Sequence, residues 1–187
     1  LAAGFDYHFA DNLHGEASWE KAEQKMQQYA LELALAKGEL AADSLDFFLG
    51  GDLLNQIISA GFAARNLGIP FYGLYGACST MAESLALAAL FVDTSIAKKA
   101  LAVTSSHFCS AERQFRFPLE YGGVRTPTAQ WTVTGSGALI LGAAGSGPRV
   151  TMVTTGKIAD AGITDANNMG AAMAPAARWV SMLWASP

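Results

Sequence analysis

Charge is scarce in this 187-residue chain: Asp, Glu, Lys and Arg make up 15%, against 51% hydrophobic residues. Such a surface implies that the chain hides more area than a lone domain, against a partner subunit or a second domain. The formal net charge of −4 gives no electrostatic footprint for nucleic acid. Two cysteines, Cys78 and Cys109, are too few for a disulfide framework and fit a reducing compartment. Of the three histidines, His8 and His14 stand in a polar leader with no cysteine or glutamate cluster beside them, so no metal site is expected. No cofactor is expected either. The longest apolar run, 85–92, is far short of the roughly 20 residues that cross a bilayer. Phe5, Asp6, Tyr7 and His8 are too mixed for a signal peptide. Methionine is missing from position 1, and residues 178–187 form an atypical tail, which together suggest a piece of a longer protein.

What is present is an alternation of elements. Ser18 is placed to cap a helix in which Trp19, Ala22, Met26, Tyr29, Leu33 and Ala36 recur at three- and four-residue spacing, until Gly38 stops it. Phe47-Phe-Leu49, bounded by Gly50 and Gly51, reads as a buried strand, after which Asp52 caps a second helix running to Asn66. Strands are predicted over 71–75 and 100–104, with a helix over 79–92 that is apolar nearly all round and so belongs inside the fold. Further strands are predicted over 131–141 and 149–155, joined by the turn at Gly145-Ser-Gly-Pro148 as an antiparallel hairpin at the sheet edge. The pattern predicts an α/β fold with a mostly parallel five-stranded sheet, a central buried helix and an antiparallel edge.

Gly76-Ala-Cys-Ser-Thr80 lies between a predicted strand and that apolar helix. Open α/β sheets place their ligands at the carboxyl ends of strands, and a helix N-terminus favours a thiolate. Cys78 therefore stands where an activated nucleophile would, with a packed structural cysteine as the alternative. The Gly135-Ser-Gly run breaks the dinucleotide Gly-x-Gly-x-x-Gly pattern at Ile140, and Thr154-Thr-Gly-Lys157 lacks the first glycine of a phosphate loop.

Strand, Gly76-Ala-Cys-Ser-Thr80, apolar helix and then Gly135-Ser-Gly-Ala-Leu-Ile-Leu141 resemble the N-terminal half of the thiolase and ketoacyl-synthase superfamily. Four segments are similar to the stage V sporulation protein AD family. They are Gly51-Asp-Leu-Leu-Asn-Gln56, the cysteine elbow, Thr104-Ser-Ser-His107 with Ala111-Glu-Arg-Gln-Phe-Arg-Phe117, and Gly162-Ile-Thr-Asp165 with Met173-Ala-Pro-Ala-Ala177. The resemblance implies a thiolase-like layered half-domain over residues 1–177, its first strand missing, with 178–187 as a tail. It implies binding of dipicolinic acid rather than condensation. It further implies partnership with integral-membrane proteins of the same sporulation operon, in uptake into the forespore and release on germination. The corresponding location is cytoplasmic, peripheral to the forespore or spore inner membrane, and the full-length protein is expected to be a homodimer. In the condensing enzymes the catalytic histidine and its partner come from the second half, so Cys78 lacks a general base here. Without that half and the first strand, one sheet face and the central helix would be exposed, so the fragment is expected to aggregate or to pair.

A diacid on an aromatic ring calls for cations, N–H donors and an apolar slot. Arg113 and Arg116, flanked by Phe115 and Phe117, are the cationic candidates, the alternative being surface ion pairs. His107 follows a strand end on the edge that carries Cys78 and either meets a ligand or bonds to backbone. Asp52 either orients a donor in the pocket or only caps its helix. Asn55, Gln56 and Tyr121 are loop residues able to line a slot or to anchor their own segments. Three functions remain open: a dipicolinate-binding protein without catalysis, a cysteine-dependent acyl-transfer or condensing enzyme, and a structural scaffold for membrane partners.

Overall fold

Residues 2–111, 133–165 and 168–184 are described in the computed structural model of the chain. They divide into two compact units: Leu1–Glu112 with Val133–Pro148, and Arg113–Thr132 with Arg149–Pro187. The first holds the sheet. In the second, a mostly exposed stretch without regular structure leads to helix α4 (Met169–Trp184), which carries Pro175 internally and so lacks one of its own hydrogen bonds there.

In the first unit, Ser18 caps helix α1 (Trp19–Lys37) by accepting from the N–H of Lys21. The helix ends at Gly38, but Gly38 keeps right-handed geometry and Glu39, at φ 50°, takes the left-handed turn. Strand β1 (Phe47–Gly51) follows, then helix α2 (Ile58–Leu67), strand β2 (Phe71–Gly73), helix α3 (Thr80–Asp93), strand β3 (Lys99–Ser106) and strand β4 (Gly135–Gly142). The sheet order is β2-β1-β3-β4, with β1 parallel to both neighbours and β4 antiparallel to β3.

The α/β class and the antiparallel edge are as the sequence predicts; the strand count is not. Four strands form among the described residues, and no strand forms over 149–155, where Val150 and Met152 are exposed. The β-branched residues there favour a strand only where a pleated, half-buried surface receives them. The antiparallel partner of β4 is β3, not a following hairpin strand.

Side-chain alternation sorts the core into two layers. Phe48, Leu101 and Val103 pack with Leu31 of α1 and with Ala63 and Ala64 of α2. Leu49 and Ala100 pack with Ala88, Leu87 and Phe91 of α3. Phe48, Leu49 and Leu101 are fully enclosed, each contributing about 2 kcal/mol of burial. The strands approach closely at Gly50, where a Cβ would stand 1.9 Å from the carbonyl oxygen of Val103.

Helix α3 corrects the expectation of a helix buried all round. It turns a stripe of small residues, Thr80, Ser84 and Ala88, onto the sheet and buries only those; Leu90 is 46% exposed. Leu87, Phe91 and Val92 are half-buried against the same layer of the sheet.

Candidate functional site

A cavity of about 400 Å³ opens at the carboxyl ends of β1 and β3, lined by Asp52, Cys78, Thr80, Met81, Thr104 and Ser106 among others. Alternation explains which groups reach it. Leu101 and Val103 face α1 and α2 while Ala100 faces α3, so Ser105 falls on the α1 side and Thr104 and Ser106 on the side of Cys78.

The elbow is a 3-10 turn, Ala77–Ser79, leading into α3. Ala77 sits at φ 50°, a conformation non-glycine residues rarely adopt. Hydroxyls on either side hold the turn: the N–H of Gly76 donates to Thr80 Oγ1 (3.1 Å), and Ser79 Oγ donates to the carbonyl of Gly76 (2.8 Å). A Cβ at Gly76 would lie 2.3 Å from Ser79 Oγ, so a side chain there would push that hydroxyl off the Gly76 carbonyl. Held this way, Cys78 is exposed as a free thiol at the cavity.

Asp52 is 3% exposed and caps α2, from further away than the sequence suggests. Oδ1 accepts from the N–H of Leu54 (2.8 Å) and Oδ2 from the N–H of Ala60 (2.7 Å), inside the first turn of the helix. Helix α2 begins six residues later than Asp52 because Gln56 (φ 60°) and Ile57 (φ 49°) are both left-handed and cannot be helical. Burial pushes the Asp52 carboxyl up from its ordinary value, against the pull of the N–H donors of Ala60, Leu54 and Ser59. Asn55 and Gln56 are exposed on that loop.

His107 is 1% exposed and does not line the cavity. Its Nδ1 accepts from the N–H of Cys109 (3.1 Å), so Nε2 carries the proton and donates to the carbonyl of Asn12 (2.7 Å). Both ring nitrogens are thus committed to backbone. His8 and His14 line a different hollow, about 690 Å³, between the leader, α1 and β4. There His14 stacks on Phe9, and burial lowers its pKa below the ordinary value. Arg113, Arg116 and Tyr121 lie outside the described residues. Of the predicted site residues, the structure therefore brings together Asp52 and Cys78.

Two residues that the spacing of apolar positions passes over stand beneath the site. Glu23 and Gln27, one turn apart on α1, are both fully buried. Glu23 Oε1 accepts from Ser105 Oγ (3.0 Å) and Oε2 from Ser110 Oγ (2.5 Å), while Gln27 Nε2 donates to the carbonyl of Gly51 (3.3 Å). Their only sequence signal is adjacency to the buried Ala22 and Met26.

The stage V sporulation protein AD of Bacillus subtilis (strain 168) is 50% identical over 168 residues, covering 89% of this chain and 50% of that protein. The chain thus spans about half the length of this curated relative. The priming beta-ketosynthase from the R1128 polyketide biosynthetic pathway matches in structure with a TM-score of 0.51 at 20% identity, over 67% of this chain and 37% of that one. A 3-oxoacyl-[acyl-carrier-protein] synthase III from Aquifex aeolicus VF5 matches with a TM-score of 0.49 at 19% identity, over 65% of this chain and 39% of that one. The family model for stage V sporulation protein AD matches residues 1–182, so this chain, with its thiolase-like α/β fold, belongs to the stage V sporulation protein AD family.

Proposed function

We propose that the chain is half of a non-catalytic binding protein for dipicolinate, serving its uptake into the forespore and its release on germination. The observation that carries this reading is the cavity at the strand ends, held by a member of this family and entered by an exposed thiol. Its volume lies within the range of about 300–1,000 Å³ usual for small-molecule sites. Thr80, Thr104 and Ser106 supply hydroxyls, and Met81 supplies an apolar wall for a flat ring. The described lining residues include no cation; for the ligand's carboxylates the reading keeps Arg113 and Arg116 as its candidates. His107 and Asp52 then shape the site rather than grip the ligand. The same reading gives the full-length protein integral-membrane partners, a place at the forespore or spore inner membrane, and a homodimeric state. No helix among the described residues is long and apolar enough to cross a membrane itself.

Calorimetric titration of the full-length protein with dipicolinate tests the reading: saturable heat is expected, and its absence at millimolar ligand sinks it. The strained elbow, Ala77 at φ 50° beside an exposed Cys78, favours a second reading, a cysteine-dependent acyl-transfer or condensing enzyme. That reading requires an acyl-CoA or acyl-phosphopantetheine to acylate Cys78. Intact-mass analysis giving an unmodified thiol excludes it.

A further inference from the structure

The layer between α1 and the sheet changes character along its length. Away from the cavity it is apolar, with Leu31 against Phe48, Leu101 and Val103. Beneath the cavity it is polar, with Glu23 and Gln27 in place of apolar side chains and Ser59 Oγ within 3.4 Å of the Glu20 carbonyl oxygen. An enclosed carboxylate costs several kcal/mol of hydration, and an apolar residue would hold a helix to a sheet more cheaply. What the carboxylate adds is direction: Oε1 reaches the Ser105 hydroxyl and Oε2 the Ser110 hydroxyl.

One of those hydroxyls belongs to Ser105, whose strand forms part of the cavity wall. Ser105 stands between Thr104 and Ser106, which face the cavity from the opposite side of the same strand. A pull on Ser105 therefore sets the twist at which its two neighbours present their hydroxyls. Ser110 also donates to the carbonyl of His107 (2.9 Å), so the second oxygen of Glu23 gathers the turn that closes β3. Gln27, one helical turn on, holds the carbonyl of Gly51 next to Asp52 and so fixes the other strand end in the same way.

We propose that Glu23 is a positioning residue of the binding site, acting through Ser105 and Ser110 to set the cavity wall and the turn that closes β3. The proposal deepens the binding function above and rests on it for its ligand. It names a residue that touches no ligand and lies behind the sheet as seen from Cys78.

The test uses the full-length protein with dipicolinate as the probe. Glu23→Gln keeps the volume and removes the charge. It is expected to bind about tenfold more weakly and to speed amide hydrogen exchange over 105–111, leaving exchange in β1 unchanged. Leu31→Ala, on the same helix, serves as the structural control: it lowers Tm and leaves the affinity of the folded protein intact. The double variant Ser105→Ala/Ser110→Ala should reproduce the loss, and adding Glu23→Gln to it should cost less than the same substitution in the wild type. If Glu23→Gln fails to fold, that double variant decides alone. Wild-type affinity in Glu23→Gln, or in the double serine variant, together with unchanged exchange over 105–111, overturns the proposal. Should the wild type bind no dipicolinate, the ligand reading fails separately. The exchange pattern and the rate of Cys78 alkylation by iodoacetamide then decide: both faster in Glu23→Gln uphold positioning, and both unchanged refute it.

Discussion

Two aspartates bracket strand β1, and each accepts two backbone N–H groups. Asp46, just before the strand, accepts from Lys98 (2.6 Å) and Lys99 (3.0 Å) where β3 begins. Asp52, just after it, accepts from Leu54 and Ala60. The hydrogen bonds are alike and the outcomes are opposite. The N–H donors of Lys99 and Lys98 hold the Asp46 carboxyl below its ordinary value, whereas burial drives Asp52 above it. Water makes the difference: Asp46 stays hydrated and gains from its donors, while Asp52 has lost its hydration and its donors repay only part of that cost. The same contrast separates the two ends of the sheet. At the amino ends a solvated carboxylate fastens neighbouring strands. At the carboxyl ends Asp52, Glu23, Gln27, Ser105 and His107 are buried together, and there the cavity lies.

Removing each carboxylate is the strongest way to break the comparison. Asp52→Ala should destabilise by about 2–4 kcal/mol, since it strands two enclosed N–H groups and releases the left-handed pair Gln56 and Ile57. Asp46→Ala should cost clearly less, because water replaces the lost acceptor. Urea unfolding of both variants measures this, and equal losses would erase the distinction.

The next effect is a difference in sign. A lowered carboxyl stabilises above its unfolded value and loses that contribution as pH falls through the folded value. For Asp46 the stability gap between wild type and Asp46→Asn should thus grow with pH below 3.8 and level off above it. A raised carboxyl does the reverse: the folded state keeps a proton that the unfolded state has released. The gap between wild type and Asp52→Asn should therefore shift toward the variant as pH climbs from 3.8 through the raised folded value. Slopes of the same sign in pH-dependent unfolding would refute the assignment. The smallest effect belongs to Cys78. Cys78→Ser should change stability by no more than about 0.5 kcal/mol, because the thiol is exposed and packs little; a thermal melt suffices.

Much of this architecture was legible in the residues. Ser18 caps α1, the apolar runs at Phe47 and Ala100 are adjacent parallel strands, and Gly76 to Thr80 forms the turn that presents Cys78. These are local signals, carried by one cap, one run or one glycine. The polar layer was hidden because periodicity treats glutamate and glutamine as solvent-facing, and only the sheet beneath α1 makes Glu23 and Gln27 interior. The late start of α2 was equally hidden, since nothing in Leu53-Leu-Asn-Gln56 announces two left-handed residues. The strand expected over 149–155 has the right composition, but pairing depends on an available partner and not on composition alone.

Strand β4 has one further property. At its far end Ala138, Ile140 and Leu141 pack into the core, whereas at the cavity end two of its first three residues, Gly135 and Gly137, have no side chains. There the backbone ladder with β3 is supplemented by a hydrogen bond from Ser136 Oγ to the carbonyl of Thr104 (2.9 Å) and, just before β4, by Thr134 Oγ1 accepting from the N–H of Phe108 (3.1 Å). Such a strand frays from one end, its glycine amides exchanging with solvent well before those of Ile140 and Leu141. The cavity wall therefore breathes on a faster clock than the sheet that carries it, and a bound molecule would be felt first as a slowing of that clock.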